Sequence, residues 1–531
     1  MSRLEDRLKI VSPETLRTLQ RGLEKESLRT LPDGTLARDP HPAGLGSALT
    51  HPHITTDFSE SQVELITGVH QDIGECLRQL TEVHQVVYRQ IGEQVLWCTS
   101  MPGLLPADDD IPIGQYGTSN IGRTKTIYRV GLKHRYGSRM QTISGLHYNF
   151  SLPPAAWPAL QRADGHVGDA IGHRNAAYFS LIRNFRRHSW LLLYLFGASP
   201  VVCRSFVDGR GHRLRELNES TLYMPHATSL RMGPLGYQSD AQSSLGVSYN
   251  CLQSYAKSLQ AAMTKPYPPY EAIGLRKGDE YLQLSTTLLQ IENEFYGTIR
   301  PKQPIRPGER PLHALAERGV EYVEVRLMDL DPFGPIGITA DSIRFLDIFL
   351  LHCLLSDSPP DSPALIEKLS RNRHEVAERG RDPCLALTRD SGEMAGLADW
   401  GGELLRECEP VAAALDAAHR GPGADAPADA YRESLALAGA KLADPALTPS
   451  ARVLQALAAT GQGASCLSFA QAQSLQHRRE LMGLPFPASL EEQYDRMARD
   501  SIAAQRAAEA GDTMPFESYR RHYMAQPLIG I

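Results

Sequence analysis

No two cysteines in this chain of 531 residues stand two apart. The eight present (Cys76, Cys98, Cys203, Cys251, Cys353, Cys384, Cys408 and Cys466) are scattered, which excludes a zinc ribbon and a thioredoxin-type motif. Most read as reduced core residues, because free cysteine is usually buried. A long apolar run is missing too. The longest, Trp190 to Cys203, is broken by Gly197, Ser199 and Pro200 and falls short of the ~20 residues of a spanning helix. It reads as a buried helix and its stop. Residues 1–12 are charged and lack the apolar centre of a signal peptide, so the expected location is cytoplasmic and no membrane partner is expected. There is no basic excess: 61 acidic against 55 basic residues give a formal charge of −6, which argues against nucleic acid as the main partner. Phosphate fingerprints are also lacking. No Gly-x-x-x-x-Gly-Lys-Ser/Thr loop occurs, and Gly421-Pro422-Gly423 and Gly461-Gln462-Gly463 have no strand–turn–helix context. His374-Glu375-Val376-Ala377-Glu378 lacks the second histidine of a zinc protease helix and reads as a solvated helix face.

What the chain does hold is a 42% hydrophobic content, enough for a substantial core, in a length that suits two or three domains or one large enzyme. Residues 13–22 read as a helix leading into a strand, and Asp33-Gly34 as a turn between short extended pieces. Apolar residues at helical spacing from Ile73 to Cys98 predict one amphipathic helix. Pro102 to Gly122 reads as loop, with Asp108-Asp109-Asp110 a solvated turn. Residues 144–151 alternate as a strand with a polar face carrying His147, Asn149 and Ser151. Tyr178 to Phe196 reads as helix, and Ser285 to Tyr296 as partly extended, with Gln290, Glu292 and Glu294 on one face. Beyond about Ile338 the periodicity turns helical, interrupted by a loop over 419–430. This predicts a catalytic sheet-and-helix portion over 1–340 and a helical portion over 341–531, with the chemistry in the former.

Acidic residues recur where strands should carry apolar ones. Glu24 and Glu26 share one face of an extended segment, and Glu324 and Arg326 lie opposite Val323 and Val325 in another. Between them, residues 56–64 add Asp57, Glu60 and Glu64 beside a further apolar run. Carboxylates are costly to bury unless paired or bound to a cation, so such segments on one sheet face predict a divalent-metal site. Oxygen ligands with a single imidazole, His147, suit Mg²⁺ or Mn²⁺, and the excess of carboxylates predicts two or three ions, as used in phosphoryl transfer. Arg326 is then placed to pair with a carboxylate or reach a phosphoryl group. Arg231, near Leu235-Gly236-Tyr237, and Tyr128-Arg129 read as loop residues suited to gripping a small carboxylate.

Several segments in order resemble one family. They are Arg21-Gly22-Leu23-Glu24-Lys25-Glu26-Ser27-Leu28-Arg29, Gln115-Tyr116-Gly117-Thr118-Ser119-Asn120, Met140-Gln141-Thr142-Ile143-Ser144-Gly145, Leu288-Leu289-Gln290-Ile291-Glu292-Asn293-Glu294 and Glu321-Tyr322-Val323-Glu324-Val325-Arg326. Together, from about Leu19 to Gly337, they resemble the proteobacterial glutamate–cysteine ligases. The resemblance implies an α+β fold related to glutamine synthetase, a curved and mostly antiparallel sheet wrapped by helices. It also implies ATP-dependent ligation of L-glutamate to L-cysteine through γ-glutamyl phosphate, with glutathione as feedback inhibitor; a monomer is expected. Carried over by position, it implies a metal shell of Glu24, Glu26, Asp57, Glu64, His147 and Glu324. Arg326 would steady the phosphoryl group, Arg231 would meet the glutamate α-carboxylate, and Phe58, Tyr128, Gln141, Tyr237 and Tyr296 would form the cysteine pocket. Residues 103–122 or 299–311 would be the lid over a water-sensitive acyl phosphate. The rival readings are a ligase with another amine acceptor and a non-catalytic nucleotide or glutamate sensor.

Overall fold

Seven short segments with alternating inward and outward residues pair into one antiparallel sheet: β1 (Gln20–Thr30), β2 (Ile54–Thr56), β3 (Gln62–Ile66), β4 (Val95–Leu96), β5 (Leu146–Ser151), β6 (Ile299–Lys302) and β7 (Tyr322–Met328). The order is β6-β7-β5-β1-β3-β2, with β4 on the far end of β1. This computed structural model describes residues 3–236, 240–243, 245–420, 429–459 and 465–526. Tyr237, Gly421 to Gly423, most of the loop expected over 419–430, and Gly461 to Gly463 lie outside them.

Register sets the site. Glu24 stands opposite His147 across β1 and β5, Glu26 opposite Glu64 across β1 and β3, and Glu324 opposite Asn149 across β7 and β5. Because strand side chains alternate, these groups fall on one face, while Leu23, Leu146, Tyr148, Phe150, Val323 and Val325 join a core that runs from Leu4 to Tyr494. Helices Ala170–His188, Trp190–Phe196 and Ala340–Leu355 cover that apolar face. A buried ion pair fastens sheet to helix: Arg21 Nη2 lies 3.0 Å from Asp347 Oδ2, and the Tyr148 hydroxyl donates to Asp347 Oδ1. The buried partners leave each other few alternatives, so this contact also fixes the register of β1 against β5.

Where the chain departs from the sequence-based expectation, a local cause is visible. The amphipathic helix stops at Gln90, not Cys98, because Gly92 takes φ +58° and Val95 and Leu96 continue as β4. Tyr128 and Arg129 are helical, not in a loop: Ser119 caps the helix Asn120–Tyr136 by accepting the Gly122 N–H at 3.2 Å. Residues 285–291 form no strand, and Glu292–Glu294 is a 3₁₀ turn. Its polar residues share no face, since Glu292 pairs with Arg310 at 3.1 Å, Glu294 with Arg135 at 2.8 Å, and Gln290 accepts the Leu284 N–H. Asp108-Asp109-Asp110 is an exposed 3₁₀ turn, as expected, though Asp108 also accepts the N–H groups of Ser138 and Arg139. Gly34, at φ +84°, makes the Asp33-Gly34 turn. Among the described residues from 340 on, eight α-helices, one 3₁₀ turn and one short hairpin, Ala386–Thr388 with Met394–Gly396, follow. Five of the eight cysteines are buried, Cys466 is half-buried, and Cys251 and Cys384 are exposed. No helix among the described residues is long and apolar enough to cross a membrane.

Candidate active site

The polar sheet face floors a cavity of about 360 Å³. Glu24, Glu26, Asp57, Phe58, Glu64, Tyr128, Gln141, His147, Tyr296, Glu324 and Arg326 all line it. His147 is the hub. Its Nδ1 lies 3.4 Å from Glu24 Oε2 and 3.7 Å from Glu324 Oε1, and its Nε2 lies 3.6 Å from Glu26 Oε1. One donor atom each from Glu24, Glu64 and His147 falls within 4.8 Å of the others. Asn149 Nδ2 donates to Glu24 Oε1 at 2.7 Å, and the Gly145 N–H donates to Glu26 Oε2 at 2.7 Å.

Charge is unevenly matched here. Burial, then the charges of Glu24, Asp57 and Glu26, hold the Glu64 carboxyl well above its ordinary range. Burial and the Asp57 charge push Glu26 up to about 8. Glu324 goes the other way: burial alone would raise it, but Lys302 and Arg326, with Arg300, outweigh burial and hold it far below. For Glu24, too, burial is overcome, by the hydrogen bond to His147 and by Lys302. Burial and the neighbouring Arg326 depress His147, leaving a neutral imidazole. On the Glu26–Glu64 side the charges of Arg326 and Arg231 do not offset burial and the neighbouring carboxylates. Glu324 Oε2 is buried without a hydrogen-bond partner among the described residues. Crowded carboxylates, one neutral imidazole and an orphaned acceptor oxygen fit a hard divalent cation.

Arg326 Nη1 donates to Glu324 Oε1 at 3.0 Å, and Lys302 Nζ lies 3.3 Å from the same oxygen. Arg231 sits slightly apart. It borders a small adjoining cavity with Tyr296 and Arg326 rather than the main one. Its Nη2 donates to Arg326 O at 2.9 Å, and its Nη1 lies 3.7 Å from Asp329. A Cβ on Gly145 would fall 2.1 Å from Arg231 Nη2, so only glycine lets the guanidinium lie against the backbone that donates to Glu26. Gln141 Nε2 donates to the Tyr296 hydroxyl at 2.8 Å. Glu60, in the same acidic run as Asp57 and Glu64, does not reach the cavity and is buried near Arg29.

Several lining residues were not anticipated from the sequence. Thr124 and Lys125 are two of them: they share one face of the helix Asn120–Tyr136 with Tyr128 and Arg129, which the sequence had already singled out, and the i, i+4 spacing was the available signal. Burial and the adjacent Arg129 bring the Lys125 ammonium down to about 8. Arg129 stacks 4.4 Å over Tyr116 and donates to Asp57 O. Of the two expected lids, 299–311 borders the cavity through Ile305, Gly308, Glu309 and Pro311, its first four residues being β6 itself; of 103–122, Ile121 borders it, in the first turn of the helix Asn120–Tyr136. Tyr519 and Tyr523, on the helix Phe516–Ala525, add to the wall from the C-terminal portion, whose part in the site no motif had indicated. That helix is docked by Glu517 accepting from the Tyr281 hydroxyl, by Arg520 donating to Leu284 O at 2.8 Å, and by Arg123 lying 4.2 Å over Phe516.

Residues 7–376 match the sequence pattern described as glutamate-cysteine ligase. The chain belongs to the glutamate–cysteine ligase family. It is 45% identical over 532 residues to the glutamate–cysteine ligase of Alcanivorax borkumensis, covering 98% of this chain and 99% of that one. It is 49% identical over 513 residues to that of Azotobacter vinelandii, covering 96% and 95%. Among solved structures, glutamate–cysteine ligase from Francisella tularensis in complex with AMP superposes with a TM-score of 0.88 at 35% identity, covering 96% of this chain and 97% of that one. A bifunctional glutathione synthetase from Pasteurella multocida gives 0.71 at 26% identity, covering 93% of this chain and 57% of that one. An α+β ligase fold is therefore common to the family and this chain.

Proposed function

We propose that this cavity joins the γ-carboxylate of L-glutamate to the amine of L-cysteine with ATP, through γ-glutamyl phosphate, releasing ADP and phosphate. This makes the chain an ATP-dependent ligase of the first step of glutathione biosynthesis. The observation that carries the reading is the meeting of Glu24, Glu26, Asp57, Glu64, His147 and Glu324 in one cavity beside Arg326. The AMP found in the Francisella tularensis structure supports a nucleotide site in the shared fold.

Attack of a carboxylate on ATP brings two anions together, so positive charge must surround both. Glu24, Glu26, Asp57, Glu64, His147 and Glu324 would hold Mg²⁺ or Mn²⁺, two or three ions, which when bound supply charge neutralisation for the triphosphate and the acceptor carboxylate. Arg326 is oriented by its bond to Glu324 and steadies the migrating phosphoryl group. Lys125, Arg129 and Lys302 add fixed cations along the same cavity for the phosphate chain. The base of the nucleotide has a place beside them, in an adjoining cavity of about 150 Å³ walled by Tyr255, Tyr322, Pro304 and Leu312. Arg231, fixed by Arg326 O and Asp329, takes the glutamate α-carboxylate through the cavity that it shares with Tyr296 and Arg326. Phe58, Tyr128, Gln141 and Tyr296, with Tyr237, receive the cysteine. The loop 303–311 and the helix Phe516–Ala525 keep water from the acyl phosphate.

With this reading go a catalytic portion over 1–340 and a helical portion over 341–531, a monomeric cytoplasmic enzyme and feedback inhibition by glutathione. The decisive experiment is a coupled phosphate-release assay with Mg²⁺, ATP, glutamate and cysteine omitted one at a time. Release should require all four. Release that ignores cysteine but follows another amine in a panel would instead assign a different acceptor, and nucleotide binding without any turnover would assign a sensor.

A further inference from the structure

A second cavity, of about 180 Å³, lies behind the sheet, against Leu146 and Met328, on the same strands as His147 and Arg326, which serve the first. The end of helix Trp190–Phe196, the start of Ala340–Leu355, the helix Ala430–Ala443 and the segment 447–452 enclose it. Its lining mixes apolar side chains with Thr339, Ser342 and Ser434 and with charges of both signs: Asp329, Asp331 and Asp341 against Lys441 and Arg452.

These charges are held apart. Lys441 Nζ donates to Leu195 O at 3.1 Å and lies 5.0 Å over the Phe196 ring. The Arg452 guanidinium lies 4.0 Å over the ring of Phe333. Asp331 accepts one bond, from the Phe333 N–H at 3.0 Å, and Asp341 is already taken by Arg344 and Ser434. Neither cation comes within ion-pair distance of either carboxylate among the described residues. Burial holds the Asp331 carboxyl above, and the Lys441 ammonium below, its ordinary range, so their separation is a standing cost. Collapsing the pair would relieve it, and the backbone anchors on both sides prevent that. A lysine with three donors and one in use, an arginine with none on a carboxylate, and an aspartate with spare acceptor capacity face one cavity. A molecule carrying one charge of each sign at the ends of an aliphatic body completes all three at once.

We propose that this cavity is a second ligand site, taking a small zwitterion whose ammonium meets Asp331 and whose carboxylate meets Lys441 and Arg452. Asp329 forms its rear wall, accepting from the Ala198 N–H at 2.8 Å and Ser229 Oγ at 3.0 Å on the side facing Arg231. An occupant therefore touches the carboxylate that backs the substrate cavity.

The test is calorimetric titration of the full chain with the ω-amino acid series from β-alanine to 6-aminohexanoate. These share both charges, differ in their separation, and lack the α-amino acid group of the substrates. At least one member should bind saturably, while pentylamine and valerate, each with one charge, should not. Lys441→Met and Asp331→Asn should each weaken that binding about 10-fold or more. Arg452→Gln, at an exposed position where the fold is not at stake, should weaken it as well, with the melting temperature unchanged. Glu324→Gln, in the other cavity, should leave it unaltered. Absence of saturable binding across the series, equal binding of a singly charged control, or full affinity in Lys441→Met and Arg452→Gln would overturn the proposal, as would loss of binding in Glu324→Gln.

Discussion

Replacing Glu26 with glutamine should stabilise the protein when divalent cations are stripped and destabilise it when they are supplied. In the metal-free protein, burial and the Asp57 charge carry the Glu26 carboxyl from 4.5 up to about 8. Between those values the folded chain binds more protons at this position than the unfolded chain, so stability falls as pH rises through that window. At ~1.4 kcal/mol per pH unit, the cost reaches about 3 kcal/mol at pH 7 and less than about 1 kcal/mol at pH 5. Glutamine carries no such cost, and its side-chain oxygen can still accept the Gly145 N–H that Glu26 Oε2 accepts at 2.7 Å. In EDTA at pH 7, Glu26→Gln should therefore resist urea better than the parent, and the gap should shrink by pH 5. Saturating Mg²⁺ lets the parent's carboxylate ionise against a cation and should reverse the order. A variant no more resistant than the parent in EDTA at pH 7, or a gap indifferent to pH, would refute the electrostatic account of the cluster.

Arg326→Ala should lower turnover about 10²-fold or more in the phosphate-release assay, by loss of a preorganised charge; near-normal rates would remove the arginine from the chemistry. Arg231→Lys should chiefly raise the glutamate KM, because one ammonium cannot both replace the guanidinium bond to Arg326 O and reach the substrate. An unchanged KM would count against that contact. Tyr519→Ser with Tyr523→Ser should open the cavity to water, so that phosphate release outruns γ-glutamylcysteine formation; a one-to-one ratio would deny the helix its covering role. Cysteine-to-serine changes should leave the chemistry intact, since none of the eight lines the main cavity. Loss of activity in a well-folded variant would contradict that.

Strand alternation made half of the site readable. A carboxylate on a period-two apolar segment is anomalous in itself, so Glu24, Glu26 and Glu324 announce a shared face before any pairing is known. The same reasoning fails for Glu292 and Glu294, whose neutralising partners, Arg310 and Arg135, lie in other elements. Acids compensated at long range look identical in sequence to acids awaiting a metal. Tyr128 and Arg129 were misread because Gln115 to Asn120 suggests loop, while the Ser119 cap acts only once the helix has formed. Tyr519 and Tyr523 share an i, i+4 face, but their role follows from where the helix Phe516–Ala525 docks, a tertiary outcome that spacing does not reveal.

That helix carries a kinetic implication. It shares no strand ladder with the sheet and is anchored by side-chain contacts at Tyr281, Leu284 and Arg123, so it can detach without breaking any rung of β1 through β7. Substrates and products then have a way in and out that leaves the rigid carboxylate floor undisturbed.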